Sequence, residues 1–142
     1  MKELRTEINI QAPANRVWKI LMDFDKYAEW NPFIRKFTGH ISEGSQFEVE
    51  LHQPGGSVMT FRPVCLQMKE NQQFRWIGRL WFKGLFDGEH VFELSQTDPE
   101  TTHFVHREEF RGVLVPLLWK DLNTKTRAGF EAMNRALKER AE

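Results

Sequence analysis

The chain has 142 residues, a length for which we expect one domain over residues 1–142. Its 20 basic and 20 acidic side chains balance, which argues against electrostatic binding to nucleic acid and against an electrostatic membrane anchor. No apolar run is long enough for a transmembrane helix, and the first residues lack the apolar centre of a signal peptide. The lone Cys65 argues against a disulfide framework or a cysteine metal cluster, and the expected compartment is the cytoplasm.

The first third of the chain is predicted to form one strand and two short helices. Residues 3–11 alternate apolar and polar side chains, as a half-buried strand does. Pro13 suits the first position of a helix, whose apolar side chains over residues 17–24 recur at the spacing of one helical face. Asp23 can cap a second short helix, which must end near Asn31 because the residue before a proline is pushed out of helical geometry.

The middle of the chain is predicted to be a meander of six antiparallel strands separated by turns. The strands are expected over residues 34–41, 47–51, 58–68, 74–82, 89–96 and 102–110. Pro63 inside the third strand indicates an edge or a bulge, because proline cannot donate to a strand ladder. Trp76 and Trp81 fall in the fourth strand, and the turn after it is expected to expose Leu85 and Phe86.

The chain closes with a long amphipathic helix. Its apolar stripe covers about five turns through Leu118, Leu122, Thr126, Phe130, Met133 and Leu137. Gly129 lies within this stripe and costs the helix about 1 kcal/mol relative to alanine, so a neighbour needs the room. Two interpretations stay open: close packing of the helix on a strand, or a cavity that the helix does not fill. Antiparallel strands without crossover helices, followed by this helix, predict an α+β fold whose sheet curves round the terminal helix.

Four segments carry a resemblance to a known superfamily. They are Ala-Pro-Ala-Asn-Arg-Val-Trp at 12–18, Asp-Phe-Asp-Lys-Tyr-Ala-Glu-Trp-Asn-Pro-Phe at 23–33, Gly-Glu-His-Val-Phe-Glu-Leu at 88–94 and Phe-Val-His-Arg-Glu-Glu-Phe-Arg-Gly-Val-Leu at 104–114. Together with the order of elements, they resemble the polyketide cyclase/dehydrase-like branch of the SRPBCC, or START-like, superfamily. The resemblance implies a helix-grip fold like that of the birch-pollen allergen, with a deep hydrophobic cavity between the curved sheet and the C-terminal helix. It implies binding of lipids, polyketides, hormones or other apolar molecules, and for a minority of members it implies cyclisation or dehydration.

The last two predicted strands place polar side chains among aromatic ones. Period-two alternation puts His90 on the apolar, inward face of its strand, and it puts His106 and Glu108 on the inward face of the next strand. Buried polar groups need partners, so three interpretations are open. The groups form a satisfied polar cluster in the wall, a His–Glu pair for acid–base catalysis, or a set that orients a ligand's carbonyl or hydroxyl. Nothing in the spacing of the histidines requires a metal.

The aromatic content, 12 Phe and 5 Trp with 1 Tyr, fits either an aromatic core or rings that line a ligand cavity. The predicted ligand-binding residues are Phe74, Trp76, His90, Phe92, Phe104, His106, Glu108, Phe110, Thr126, Gly129, Phe130 and Met133. We expect storage, transport or sensing of a small apolar or aromatic molecule by a monomer or homodimer, without a cofactor or metal. The alternatives are a cyclase- or dehydratase-type enzyme that uses His90, His106 and Glu108 as acid–base groups, and a protein-interaction module.

Overall fold

The computed structural model describes residues 1–80 and 82–142, so Trp81, predicted to lie in the fourth meander strand, is outside the described residues. The strands are β1 (Lys2–Ile10), β2 (Ile34–Thr38), β3 (Glu48–His52), β4 (Val58–Phe61), β5 (Val64–Lys69), β6 (Gln73–Arg79), β7 (Asp87–Asp98) and β8 (Thr101–Arg111). The helical elements are α1 (Ala14–Met22), a 3₁₀ turn (Phe24–Lys26), α2 (Tyr27–Trp30), α3 (Val115–Asp121), a π-helical turn (Leu122–Thr126) and α4 (Arg127–Ala141). Within the described ranges, none of the helices combines the length and apolar composition that crossing a membrane requires.

The strands form two antiparallel sheets, which confirms the α+β class. The larger sheet has the order β1-β8-β7-β6-β5, and the smaller has the order β2-β3-β4. The single strand predicted over 58–68 is wrong: the chain leaves the small sheet after Phe61 and enters the large sheet at Val64. Pro63 lies at this crossing, where its missing N–H interrupts no ladder. Its carbonyl oxygen accepts a hydrogen bond from the Phe47 N–H at 3.0 Å, which ties the sheets together.

The two short helices form a corner that Asn31 fixes. α1 begins at Ala14, one residue later than predicted, because Pro13 has extended backbone geometry and precedes the helix as its N-cap. As predicted, α2 ends before Asn31. The buried side-chain oxygen of Asn31 accepts hydrogen bonds from the N–H groups of Phe33 (2.8 Å) and Ile34 (2.9 Å). The capping role predicted for Asp23 is wrong, because its carboxylate stays in solvent and makes no capping hydrogen bond with any described residue.

Gly129 of α4 is a point of close approach between the terminal helix and this corner. A Cβ atom at Gly129 would overlap the Phe33 ring and lie 2.7 Å from its Cε1 atom. The Phe33 ring also packs edge-to-face on Phe130, with ring centroids 5.5 Å apart. Of the two interpretations of Gly129, close packing is therefore the one found, although the neighbour is the corner rather than a strand.

The terminal helical segment is long, as predicted, but a π-helical turn divides it into two helices. The π-helical turn over Leu122–Thr126 separates α3 from α4. Thr126 and Phe130 are buried, whereas Leu118 is 38% exposed and Leu122 is half-buried. The α3 segment therefore lies further from the packed core than α4 does.

The hydrophobic core lies between the two sheets and α4, and aromatic rings dominate it. Its fully buried or nearly buried rings include Phe37, Phe47, Phe74, Trp76, Phe92, Phe104 and Phe130. The turn between β6 and β7 contributes to this packing, contrary to the prediction that it exposes Leu85 and Phe86. Both side chains are half-buried, and the Phe86 ring packs on Phe110 with centroids 5.6 Å apart. Among the described residues of this segment, Phe82 has an exposed ring, at 64%.

Candidate functional site

A cavity of about 220 Å³ lies between the two sheets, beneath α3 and the π turn. Its apolar wall consists of Phe33, Val49, Leu51, Met59, Phe61, Pro63, Trp76, Leu80, Phe86, Phe110, Leu118 and Leu122. The described residues of its polar wall are Gln53, Arg79, His90, Glu108, Asp121 and Thr126, and Gly78 and Gly88 also line it. Arg79, Leu118 and Asp121 are exposed, so the rim of the cavity is at these residues.

The structure divides the predicted ligand-binding residues into two groups. Those that line the cavity are Trp76, His90, Glu108, Phe110 and Thr126. Those that lie in the packed core instead are Phe74, Phe92, Phe104, His106, Gly129, Phe130 and Met133. The division has a steric cause, because Phe33 fills the space beside Gly129. The cavity lies nearer the start of the terminal segment, at α3 and the π turn.

The small sheet supplies lining residues that the sequence analysis did not identify. They are Val49 and Leu51 of β3 and Met59 and Phe61 of β4, in each case two residues apart on one strand face. Val49 and Leu51 alternate with Glu48 and Glu50 in the sequence, a pattern typical of a strand with one buried face. Which strands border the cavity depends on the crossing at Pro63, and local periodicity carries no information about that.

Glu108 enters the cavity wall from β8, directly opposite His90 of β7. Its Oε1 atom lies 3.4 Å from His90 Nδ1, slightly longer than an ordinary hydrogen bond. A Cβ atom at Gly88 would overlap Glu108 Oε2 and lie 3.3 Å from Glu108 Cδ. The missing side chain of Gly88 therefore makes the room that the carboxyl group occupies.

Behind His90, a chain of buried polar groups leads into the core. His90 Nε2 lies 2.7 Å from His106 Nε2, and His106 Nδ1 lies 2.9 Å from Asn134 Oδ1 of α4. Asn134 Nδ2 donates a hydrogen bond to Thr6 Oγ1 of β1 at 2.9 Å. The Thr6 hydroxyl donates to the main-chain carbonyl oxygen of His106 at 2.8 Å. The structure thus brings together His90, His106 and Glu108, and it adds Thr6 and Asn134, which the sequence analysis did not single out.

Aromatic rings hold both imidazoles in position. The His90 ring stacks on Trp76 with centroids 4.4 Å apart and planes 5° apart. The His106 ring stacks on Phe130 with centroids 3.9 Å apart and planes 5° apart. Because each imidazole lies flat against a large buried ring, packing as well as hydrogen bonding sets the directions of its nitrogen atoms.

Burial sets the protonation states of the site. It lowers the pKa of His90 from 6.5 to about 3, and it raises the pKa of Glu108 from 4.5 to about 8. Burial, and then the neighbouring His90, hold the pKa of His106 well below its usual value despite the hydrogen bond with Asn134. At neutral pH the site therefore contains two neutral imidazoles and an un-ionised carboxylic acid. Such groups can exchange hydrogen bonds with a ligand or transfer a proton.

A second polar contact lies where the loop after β3 meets the π turn. Gln53 Nε2 donates a hydrogen bond to Thr126 Oγ1 at 3.0 Å, and both residues line the cavity. This bond connects the small sheet to the terminal segment. In the part of the chain that the structure describes, no group of three or more His, Cys, Asp or Glu side chains is arranged to hold a metal ion.

An antiparallel sheet covered by a terminal helix, with a cavity between them, defines a helix-grip protein. Residues 1–142 match the model of the family described as polyketide cyclase/dehydrase and lipid transport, and the chain belongs to this family. The resemblance found in the sequence is therefore confirmed. No curated protein matches the chain significantly.

Solved structures share the fold at low sequence identity. A START superfamily protein from Mycobacterium smegmatis has a TM-score of 0.78 and 19% identity, over 98% of this chain and 96% of that chain. The Zhui aromatase/cyclase from Streptomyces sp. R1128 has a TM-score of 0.78 and 17% identity, over 99% of this chain and 93% of that chain. The di-domain aromatase/cyclase StfQ from the steffimycin biosynthetic pathway has a TM-score of 0.78 and 16% identity. That match covers 98% of this chain and 50% of StfQ, so the chain spans half of the length of StfQ.

Proposed function

We propose that this protein binds a small hydrophobic or aromatic molecule in the cavity beneath α3 and the π turn. The observation that carries the proposal is the composition of the wall, which is mostly apolar and contains one acid–imidazole pair, Glu108 and His90. Ligand sites typically combine a concave apolar surface with a few polar groups that fix the ligand's orientation. Membership of a family described by cyclisation, dehydration and lipid transport supports the same conclusion.

The volume of the cavity narrows the range of ligands. It is about 220 Å³, whereas pockets for drug-sized ligands occupy roughly 300–1,000 Å³. An apolar cavity of about 150 Å³ accepts benzene. The cavity therefore suits a substituted single ring or a compact bicyclic molecule better than a long acyl chain or a molecule of several fused rings.

A matched pair of variants tests where such a ligand binds. Leu122 is half-buried and lines the cavity, whereas Leu117 of α3 is 80% exposed. We expect Leu122→Trp to fill the cavity and Leu117→Trp to leave it open. In a thermal-shift panel of substituted benzenes, a ligand at about 100 times its Kd should stabilise the wild type and Leu117→Trp by about 2.7 kcal/mol, and Leu122→Trp by much less. Equal stabilisation of all three proteins would place the ligand elsewhere, and no stabilisation of the wild type by any ligand would refute the proposal.

A second candidate function is acid–base catalysis of a cyclisation or dehydration. The observation in its favour is an un-ionised Glu108 beside a neutral His90, since a carboxyl pKa raised to about 8 suits proton transfer near neutral pH. Structural neighbours described as aromatase/cyclases include StfQ and Zhui. His106 does not line the cavity, so in this version Glu108 and His90 contact the substrate and His106 acts through His90.

Replacing Glu108 by glutamine separates the two candidates. A binding protein should still take up its ligand, because the amide keeps the shape and hydrogen-bonding capacity of the acid. An acid–base catalyst should lose roughly 10²–10⁴ in rate. The interaction-module alternative depended on an exposed pair at Leu85 and Phe86, and the structure has both half-buried, so we do not propose it. The expectation of a monomer or homodimer stays a prediction.

A further inference from the structure

The orientation of the buried polar chain is fixed from its inner end. The Thr6 hydroxyl has one hydrogen, and the His106 carbonyl oxygen, 2.8 Å away, can only accept. That hydrogen is therefore committed to the carbonyl, and Thr6 Oγ1 must accept from Asn134, 2.9 Å away. The amide nitrogen of Asn134 consequently faces Thr6, and its oxygen faces His106.

The same reasoning proceeds outward through the two imidazoles. Asn134 Oδ1 accepts a hydrogen bond from His106 Nδ1 at 2.9 Å, so the proton of the neutral His106 ring is on Nδ1. The Nε2 atom of His106 is therefore bare, that is, unprotonated and able only to accept. His90 Nε2 lies 2.7 Å from that bare nitrogen and must donate to it. The proton of the neutral His90 ring is therefore on Nε2, and its bare Nδ1 faces Glu108 Oε1 at 3.4 Å.

We propose that Thr6, Asn134, His106 and His90 form a one-directional hydrogen-bond chain that holds Glu108 as a neutral acid and leaves Glu108 Oε2 free to accept a hydrogen bond from a ligand. The inference rests on the proposed function and adds a ligand class: a neutral molecule with a hydroxyl or N–H group. Glu108 and His90 contact the ligand in this proposal, whereas Thr6, Asn134 and His106 are positioning residues.

The acceptor role of Oε2 follows from the bare nitrogen of His90. If the carboxyl proton were on Oε2, lone pairs on Glu108 Oε1 and His90 Nδ1 would face each other at 3.4 Å. A proton on Oε1 removes this repulsion by pointing at Nδ1, and Oε2 then lies in the space beside Gly88. The remaining charged residues along the described cavity wall are Arg79 of β6 and Asp121 of α3, and both are exposed at the rim. An anionic ligand would therefore meet no buried cation beside Glu108.

Three probes of similar size test the ligand class. 4-Ethylphenol donates and accepts hydrogen bonds, acetophenone only accepts, and ethylbenzene does neither. By calorimetry, we expect the wild type to bind 4-ethylphenol about tenfold more tightly than either of the other two. Tighter binding of acetophenone would mean that the carboxyl proton points into the cavity, and this would overturn the proposal. Equal binding of all three would overturn the ligand class but leave the proposed function intact, and binding of none would refute both.

Two variants at Glu108 separate a neutral acid from a carboxylate. In Glu108→Gln, the amide N–H replaces the carboxyl proton toward His90 and the amide oxygen replaces Oε2, so the variant should retain the tenfold preference for 4-ethylphenol. In Glu108→Leu, the preference should disappear while ethylbenzene still binds. Loss of the preference in Glu108→Gln as well would show that an ionised carboxylate is required, contrary to the proposal.

The proton positions can be read directly from ¹⁵N NMR of the imidazoles, independently of any ligand. We expect His106 protonated on Nδ1, His90 protonated on Nε2, and both rings neutral at pH 7. In Thr6→Val, the Asn134 amide loses the partner that fixes its orientation, so each of the two histidines should show a mixture of its Nδ1-protonated and Nε2-protonated forms. The control is Thr102→Val, which removes another buried hydroxyl-to-carbonyl bond, from Thr102 to Ala12 at 2.7 Å, and should change neither tautomer. The proposal would be overturned if the wild type showed the opposite tautomers or a charged imidazole. It would also be overturned if Thr6→Val left both tautomers unchanged.

Discussion

Replacing Glu108 by glutamine removes an ionisable group and keeps its shape, so the variant isolates the free-energy cost of the buried acid. The folded protein holds the carboxyl pKa at about 8, against 4.5 for an unperturbed glutamate. Below about pH 4.5 the acid is protonated in the folded and unfolded states alike. Between the two pKa values the unfolded state releases its proton and the folded state does not, so the stability of the wild type falls as pH rises.

The expected magnitude follows from these two pKa values. Each pH unit between them costs the wild type about 1.4 kcal/mol, and the loss levels off above about pH 8. The whole interval corresponds to about 5 kcal/mol, which is an upper bound because the Glu108 side chain keeps 17% exposure. Glutamine carries no such penalty. The advantage of Glu108→Gln should therefore be near zero at low pH and grow to several kcal/mol by about pH 8.

The assay is urea unfolding followed by tryptophan fluorescence, for the wild type and Glu108→Gln, at about pH 5 and about pH 8. Equal m-values would show that the compared transitions expose the same surface. Glu131→Gln is the control, because Glu131 is an exposed carboxylate on α4 and its loss should change stability by less than about 0.5 kcal/mol at either pH. A difference between wild type and Glu108→Gln that is the same at both pH values would refute the reasoning about the buried acid.

Three further predictions concern the packing around the cavity and the paired imidazoles. Gly129→Ala should gain about 1 kcal/mol from helix propensity but lose about 1–3 kcal/mol because the added methyl group overlaps Phe33. Chemical denaturation should therefore show a net loss of stability, and a net gain would mean that Gly129 faces open space. Gly88→Ala should displace the Glu108 carboxyl and weaken 4-ethylphenol binding about tenfold by calorimetry. Unchanged binding would contradict the placement of the carboxyl beside Gly88. Because the folded state keeps His90 and His106 neutral, each histidine should cost up to about 1.4 kcal/mol of stability per pH unit as the pH falls below 6.5. An unchanged urea midpoint between pH 6.5 and about pH 4.5, measured in the Glu108→Gln background, would contradict the burial of the two imidazoles.

Local periodicity predicted the three polar side chains that β7 and β8 contribute to the candidate site. Period-two alternation on β7 and β8 put His90, His106 and Glu108 on inward faces, and the antiparallel register of the two strands then makes His90 and Glu108 neighbours. A signal for Asn134 was also present, because it lies four residues after the buried Phe130 on the apolar side of the terminal helix. A polar residue in such a position needs a buried partner, and His106 is that partner.

The position of the cavity could not be predicted in the same way, because it depends on contacts between distant parts of the chain. Phe33 fills the space beside Gly129, a contact across 96 positions that neither residue's neighbours in sequence reveal. The chain changes sheets at Pro63, which brings the small sheet to the cavity wall. The π turn at Leu122–Thr126 divides the terminal helix, which the apolar spacing predicted to be continuous.

The most direct measurement of ligand binding in this cavity is anomalous diffraction from crystals of the protein soaked in 4-iodophenol. We predict one strong iodine peak inside the cavity, among Trp76, Phe110 and Leu122, with the phenol oxygen within hydrogen-bond distance of Glu108 Oε2. Two results would contradict the proposal that this cavity is the ligand site. One is an empty cavity at a concentration of 4-iodophenol that saturates the protein in solution, and the other is a set of iodine peaks confined to the outer surface.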